Sequence, residues 1–321
     1  LALELSYQKI IASALGSKRA ARPEGPRAQI VFCIDVRSEV LRRNIETVSS
    51  SLQTIGFAGF FGVPIDYVSS LDSRPAHRLP VLLSPAYTVR EASLQGKEGW
   101  RHIYTPLRHV ASYFRNLRKN PVSSFLYVEL FGALYLEKVL RRSLLTLAAR
   151  FNGMQTPRRF RTRGMGPGQT SVLNSDGTHF VLSQRIDRAE AVLRHIGLTG
   201  GFAPFVLILG HGSETTNNAF GSSLDCGACG GHAGDINARF LVDLLNDPAI
   251  RNGLLAKGIQ IPESTWFVAG VHETVSDNVH VLESAKVPSE LHPSLKLILK
   301  DIERASALSR QERFAARPRG L

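Results

Sequence analysis

Apolar residues gather into three unbroken runs along the chain, each followed by a stretch with a different rhythm. Residues 28–34 read Ala-Gln-Ile-Val-Phe-Cys-Ile, 202–209 read Phe-Ala-Pro-Phe-Val-Leu-Ile-Leu, and 265–271 read Thr-Trp-Phe-Val-Ala-Gly-Val. Short, β-branched runs without polar alternation predict strands covered on both faces. Ser38 offers an N-cap to a helix from about Glu39 to Val48, and Asp235 favours the positive end of another over 235–245. A further strand is expected within 56–65, limited by Gly62 and Pro64. Apolar strands alternating with helices predict an α/β fold with a mostly parallel central sheet.

That core is discontinuous, 28–65 with 199–285. The opening residues 2–15 have helical spacing, and a Gly/Pro/Arg-rich linker closes them at 27. Residues 66–198 become more helical and more basic, broken by a Gly/Pro/Arg-rich loop at 156–178, and are expected to form a largely helical insertion. Residues 286–321 are expected to be a helical tail. The longest mainly apolar stretch, 125–140, contains Glu129, Glu137 and Lys138 and falls short of the ~20 residues that span a bilayer. It reads as an amphipathic or buried helix.

Composition adds two constraints. The 321 residues are 43% apolar and 21% charged, as in ordinary soluble domains, but carry a net charge of +12. Arg158, Arg159, Arg161 and Arg163 form one basic cluster and Arg115, Arg118 and Lys119 another. No nucleic-acid-binding motif accompanies them, so a solvated face or contact with an acidic partner or anionic lipid is expected instead. Three cysteines cannot make a disulfide framework, and the Cys226-Gly227-Ala228-Cys229 pair suits a reducing compartment.

In open α/β sheets ligands sit beyond the carboxyl ends of strands, where Cys33, His211 and His272 are expected. Cys33, Asp35 and Arg37 occupy alternate positions, which places thiol, carboxylate and guanidinium on one side of an extended segment. His211 lies between glycines, and Cys226 follows fifteen positions later in a Gly-rich loop that can fold closely around an ion. Thiolate and imidazole are preferred zinc ligands, while Asp35 can ligate or pair with Arg37. Other readings stay open. Cys33 alone is a buried strand cysteine, Asp35 with Arg37 a surface ion pair, and Cys226 with Cys229 a thiol–disulfide couple or a structural zinc site. His232, His272 and Glu273 are candidates for supporting or proton-transfer roles, or are merely polar strand-end residues. Gly210-His211-Gly212-Ser213 lacks the Gly-x-Ser-x-Gly turn, so no serine nucleophile is expected.

Cys33-Ile34-Asp35-Val36-Arg37 resembles the Cys-x-Asp-x-Arg signature of β-type carbonic anhydrases, whose zinc is held by Cys, His and Cys. The wide spacing of His211 and Cys226 departs from those enzymes. Together with the Phe-Cys-Ile-Asp-Val-Arg-Ser-Glu, Gly-His-Gly-Ser and Leu-Asp-Cys-Gly-Ala-Cys-Gly-Gly segments, it resembles the A subunit of the DAB inorganic-carbon accumulation complex. The resemblance implies a β-carbonic-anhydrase-like core, zinc on Cys33, Asp35, His211 and Cys226, and a catalytic pair in Asp35 and Arg37. It also implies carbon dioxide and bicarbonate as ligands, and a membrane-embedded, antiporter-like ion-translocating partner. The subunit would then sit peripherally on the cytoplasmic face of the bacterial inner membrane and hydrate carbon dioxide one way, with activity that can depend on the partner. A chain beginning at Leu1 is expected to be a fragment of a longer subunit. A stand-alone β-type carbonic anhydrase, and a redox or structural zinc protein using Cys226 and Cys229, remain the alternatives.

Overall fold

The structure is a computed structural model describing residues 2–16, 25–69, 75–91, 121–151, 170–174 and 176–316 without 216–220, plus isolated positions between 106 and 117. In chain order the elements begin with α1 (Ala2–Gly16), β1 (Ala28–Cys33), α2 (Val36–Val48), β2 (Leu52–Phe57), β3 (Ile65–Val68), β4 (Ala76–Arg78) and β5 (Tyr87–Glu91). They continue with α3 (Pro121–Phe151), β6 (Thr170–Asn174), α4 (Leu182–Ile196), β7 (Phe205–Gly212), α5 (Asp235–Asn246), α6 (Pro248–Ala256), β8 (Trp266–Glu273), β9 (Asn278–Val281) and α7 (His292–Ala315). The chain divides into two compact units, one of Leu1–Pro64, Arg78–Ser84 and Phe180–Leu321, the other of Ile65–His77 and Pro85–His179.

The first unit is built on a five-stranded sheet of order β2-β1-β7-β8-β9. β1 runs parallel to β2 and β7, β7 runs parallel to β8, and β9 closes the edge antiparallel to β8. All six residues of β1 and all eight of β7 are buried, as their unbroken apolar runs require. Ile30, Phe32, Leu207, Leu209 and Val268 pack on one face against Leu41 and Ile45 of α2 and Leu295, Ile298 and Ile302 of α7. The chain leaves β1 toward β2 and later returns on β1's other side as β7. This reversal of strand order opens a crevice at the carboxyl ends of β1 and β7. The register places His211 beside His272 there.

Four expectations change. Asp35, not Ser38, caps α2: it is extended at φ −160° and ψ 140°, and its Oδ1 accepts from the Arg37 N–H at 2.8 Å. The helix therefore starts three residues earlier, and the alternate positions of Asp35 and Arg37 straddle a strand-to-helix junction. The second strand is Leu52–Phe57, because 58–64 turn back beneath the ends of the sheet rather than extend. α7 is no appended tail, since its apolar seam completes the core. α4, expected within the 66–198 insertion, belongs to the first unit.

The second unit also departs from a largely helical insertion. It carries a four-stranded sheet of order β4-β3-β5-β6, with β3 parallel to β5 and β5 antiparallel to β6. Both sheets are mixed. α3 is the long helix expected around 125–140, and the Tyr127 and Phe131 rings meet tilted with centroids 5.1 Å apart. Among the described residues no helix is long and apolar enough to cross a membrane. Both basic clusters lie outside the described residues.

Candidate metal centre

Three segments remote in sequence meet in the crevice. Cys33 is the last residue of β1, His211 the penultimate residue of β7, and Cys226 lies just before a single 3-10 turn, Gly227–Cys229. One ligand atom of each lies within 4.8 Å of the other two, and all three residues are buried. The sulfurs of Cys33 and Cys226 are 3.7 Å apart. Neither ring nitrogen of the buried His211 makes a well-formed hydrogen bond among the described residues. A buried imidazole with no such partner is costly in an apolar site, and a cation resolves that cost.

Glycines permit this convergence. A Cβ on Gly59 would lie 2.3 Å from the Cys33 sulfur, 3.0 Å from that of Cys226 and 3.4 Å from that of Cys229, so the 58–64 turn lays bare backbone over all three sulfurs. A Cβ on Gly210 would lie 2.4 Å from the Gly234 oxygen. This close approach seats the start of α5 on β7 and lets the Gly234 N–H donate to the His211 carbonyl at 2.9 Å. The neighbouring turn residue Phe61 is fully buried at φ +51°, a backbone state that strains a bulky residue.

Asp35 and Arg37 flank the triangle. The guanidinium grips the carboxylate with two bonds, Nε to Oδ1 and Nη2 to Oδ2, each 2.8 Å, while Nη1 donates to the Leu224 carbonyl at 2.8 Å. The second carboxylate oxygen is also 3.7 Å from His211 Nε2. Hydrogen bonds from Arg37 hold the Asp35 carboxyl below the usual carboxylate range, and Asp35 in turn raises the Arg37 guanidinium. The thiols are set apart as well. Its hydrogen bond with Cys226, together with burial, pushes Cys33 up, whereas hydrogen bonds from Cys229 and then Cys33, with His211 nearby, push Cys226 down. Two cysteine sulfurs and one imidazole form the donor set that zinc favours, so the residues present fit this ion. Three protein ligands would leave a fourth tetrahedral position for Asp35 or for water.

The structure thus brings Cys33, Asp35, Arg37, His211 and Cys226 together. Cys229 is buried beside Cys226 but outside the ligand triangle. His272 and Glu273 are strand-end residues of β8 and are buried; His272 contacts Ser38 and Asp277, and Glu273 accepts from Ser276. His232 forms an isolated bridge with Cys226. Gly59 was not legible as a site residue, since nothing in its spacing marks a close approach; Gly210 and Gly234 were read only as part of the glycines flanking His211 and following Cys226.

A buried Cys/His/Cys triangle at the strand ends of an open α/β sheet defines a protein with a candidate soft-metal centre. More particularly, the chain belongs to the family described as "Probable inorganic carbon transporter subunit DabA", whose family model matches residues 1–319. It is 39% identical over 98% of its length to the protein of that name from Roseiflexus castenholzii, and 38% identical over 97% to that of Acidithiobacillus ferrooxidans. It is also 39% identical over 98% to "Probable inorganic carbon transporter subunit DabA2" of Halothiobacillus neapolitanus. The chain spans 38%, 39% and 38% of the lengths of these relatives, respectively. No solved structure matches it.

Proposed function

We propose that this chain carries the zinc centre of an inorganic-carbon transporter subunit, and that the centre acts on carbon dioxide within a β-carbonic-anhydrase-like core. The carrying observation is the buried Cys33, His211 and Cys226 triangle with the Asp35–Arg37 pair at its side. Zinc held by those three residues would lower the pKa of a coordinated water from 15.7 to about 7, supplying a nucleophile for carbon dioxide at neutral pH. Arg37 binds both oxygens of Asp35 and so keeps the carboxylate from serving as fourth ligand. Released from Arg37, Asp35 would turn toward the side where it already lies 3.7 Å from His211 and close that position.

The choice between these two partners makes the reaction conditional. A membrane-embedded, antiporter-like partner would bias it, tying one-way hydration to ion flow, with the subunit peripheral on the cytoplasmic face of the inner membrane. Contact with anionic lipid would give the basic surface a role.

Metal analysis of the purified protein should find stoichiometric zinc that Cys33→Ala and His211→Ala abolish; its absence would sink this reading. In a host lacking carbonic anhydrase, the full-length Asp35→Ala variant co-expressed with the partner should stay zinc-loaded yet fail to support growth at low carbon dioxide. Cys226→Ala should lose zinc as well. Uptake of inorganic carbon that an uncoupler leaves untouched would instead favour a stand-alone β-type carbonic anhydrase.

A further inference from the structure

Behind the Asp35–Arg37 pair lies a second polar constellation drawn from three other parts of the chain. Ser38, one residue beyond Arg37 in the first turn of α2, is fully buried, and its Oγ is 3.1 Å from His272 Nδ1. His272 Nε2 is 3.2 Å from Asp277 Oδ1, which also accepts from Arg313 Nη2 at 2.8 Å. Arg313, in the last turn of α7, forks further: Nη1 donates to the Thr274 carbonyl at 2.9 Å and Nη2 to the Arg37 carbonyl at 2.5 Å. The path from α7 therefore reaches the dyad residue itself by its backbone, and the adjacent residue by its side chain.

The hydrogen-bond directions are determined by the partners. Asp277, ion-paired to Arg313, accepts from His272 Nε2–H, which leaves Nδ1 to accept from the Ser38 hydroxyl. Asp277 is fully buried at φ +58°, a left-handed state that Asp tolerates better than most residues and that persists when its surroundings over-determine it. Here Oδ1 is held from two sides. Anchoring α7 does not require such a network, because Leu295, Ile298, Ile302 and Ala305 already bury its apolar seam. Asp277 is buried while the Arg313 side chain is partly exposed, and an ion pair of this kind is weak evidence of a purely stabilising role, so the network has room for another.

We propose that Ser38, His272, Asp277 and Arg313 are positioning residues that lock the first turn of α2, and thereby fix the orientation in which Arg37 grips Asp35. This inference rests on the proposed role of the Asp35–Arg37 pair. His272 lies beside His211 in the strand register, but its side chain turns to Ser38 and Asp277, so the four act through the backbone of Arg37 and the helix turn it shares with Ser38. Losing the fork frees that turn to rotate, and Asp35 then exchanges more readily between Arg37 and the metal side.

The test compares Arg313→Ala, Arg313→Lys, Asp277→Asn and Arg37→Ala in the full-length subunit, with bound zinc and cooperative melting measured for each. Two readouts follow: inorganic-carbon uptake with the membrane partner, and the visible spectrum of the cobalt(II)-substituted protein, which reports the ligand shell without turnover. Arg313→Ala should keep its metal, lose about 10- to 100-fold in uptake, as supporting residues of metal sites do, and shift the cobalt spectrum in the same direction as Arg37→Ala. Asp277→Asn keeps the acceptor oxygen but loses the charge facing Arg313 and buries an amide donor without an acceptor, so it should fall between wild type and Arg313→Ala. Arg313→Lys keeps the charge but not the fork and should fall between. A wild-type spectrum and uptake in Arg313→Ala, while Arg37→Ala loses both, would overturn the positioning role alone. Losses in Arg313→Ala and Arg313→Lys that simply follow lost metal or lost folding would overturn it too. Wild-type behaviour in Arg37→Ala would instead overturn the reading of the dyad on which it rests.

Discussion

Replacing Gly59 by alanine should weaken metal binding sharply while leaving the protein folded. The new Cβ would lie 2.3 Å from the Cys33 sulfur, whereas ordinary contact begins near 3.4 Å, so that sulfur or the turn must retreat by about 1 Å. Metal–ligand distances tolerate about 0.2 Å, five times less. Structural zinc sites bind with roughly 10 to 16 kcal/mol shared among four ligands, so one lost ligand costs roughly 2.5 to 4 kcal/mol. At 1.4 kcal/mol per tenfold, affinity should fall by about two to three powers of ten. Overpacking itself costs only about 1 to 3 kcal/mol of fold stability. Zinc titration against a chromophoric chelator reads the affinity, and thermal melting of the metal-free protein checks the fold. Gly200→Ala, where a Cβ meets nothing within 4 Å, is the control. Wild-type zinc affinity in Gly59→Ala would refute the convergence of sulfurs beneath that turn.

Two further outcomes test the frame around the site. β9 pairs with β8 only from Gly270 onward, and Asn246 takes the place of the missing strand by bonding both the N–H and the C=O of Phe267, at 3.1 and 2.9 Å. Asn246→Ala should cost about 2 to 3 kcal/mol in urea unfolding, since it strands two backbone groups; a loss within experimental error would show that water replaces the side chain. Burial, with smaller contributions from Arg313 and His211, holds the His272 imidazolium less favourable than in the unfolded chain despite Asp277. The unfolded state therefore binds more protons below about pH 6.5, and stability should fall as pH drops through that value toward the lowered folded pKa. His272→Gln should flatten this dependence in urea midpoints measured across that window, and an unchanged slope would contradict the assignment.

The parts of the fold legible in the sequence were those whose burial leaves no choice. β1, β7 and β8 are covered on both faces, so their apolar runs announce them, and the candidate ligands Cys33 and His211 at their ends follow. β2 was misplaced because its Gln53 and Thr54 are only half buried, which blurs the pattern. The strands of the second unit are short and carry Asp66, His77 and Arg90, so they lack an apolar signature. Asp35 as a cap was hidden by Ser38, a better-known helix starter whose hydroxyl serves His272 instead. Arg313 could not be read at all, because its link to Arg37 spans 276 positions and leaves no local trace.

The distance along the chain between the two zinc-type sulfurs has a consequence for biosynthesis. Cys33 precedes Cys226 by 193 positions. At about 5 to 20 residues per second, roughly 10 to 40 s pass between the emergence of one thiol and that of the other. For most of that interval, until Phe205–Gly212 have been made, β1 lacks its β7 neighbour, and Cys33 is a nascent, unsheltered thiol open to oxidants and adventitious metals. If the centre takes zinc as proposed, its correct loading would depend on a reducing environment and on metal being withheld until the second half of the sheet has docked.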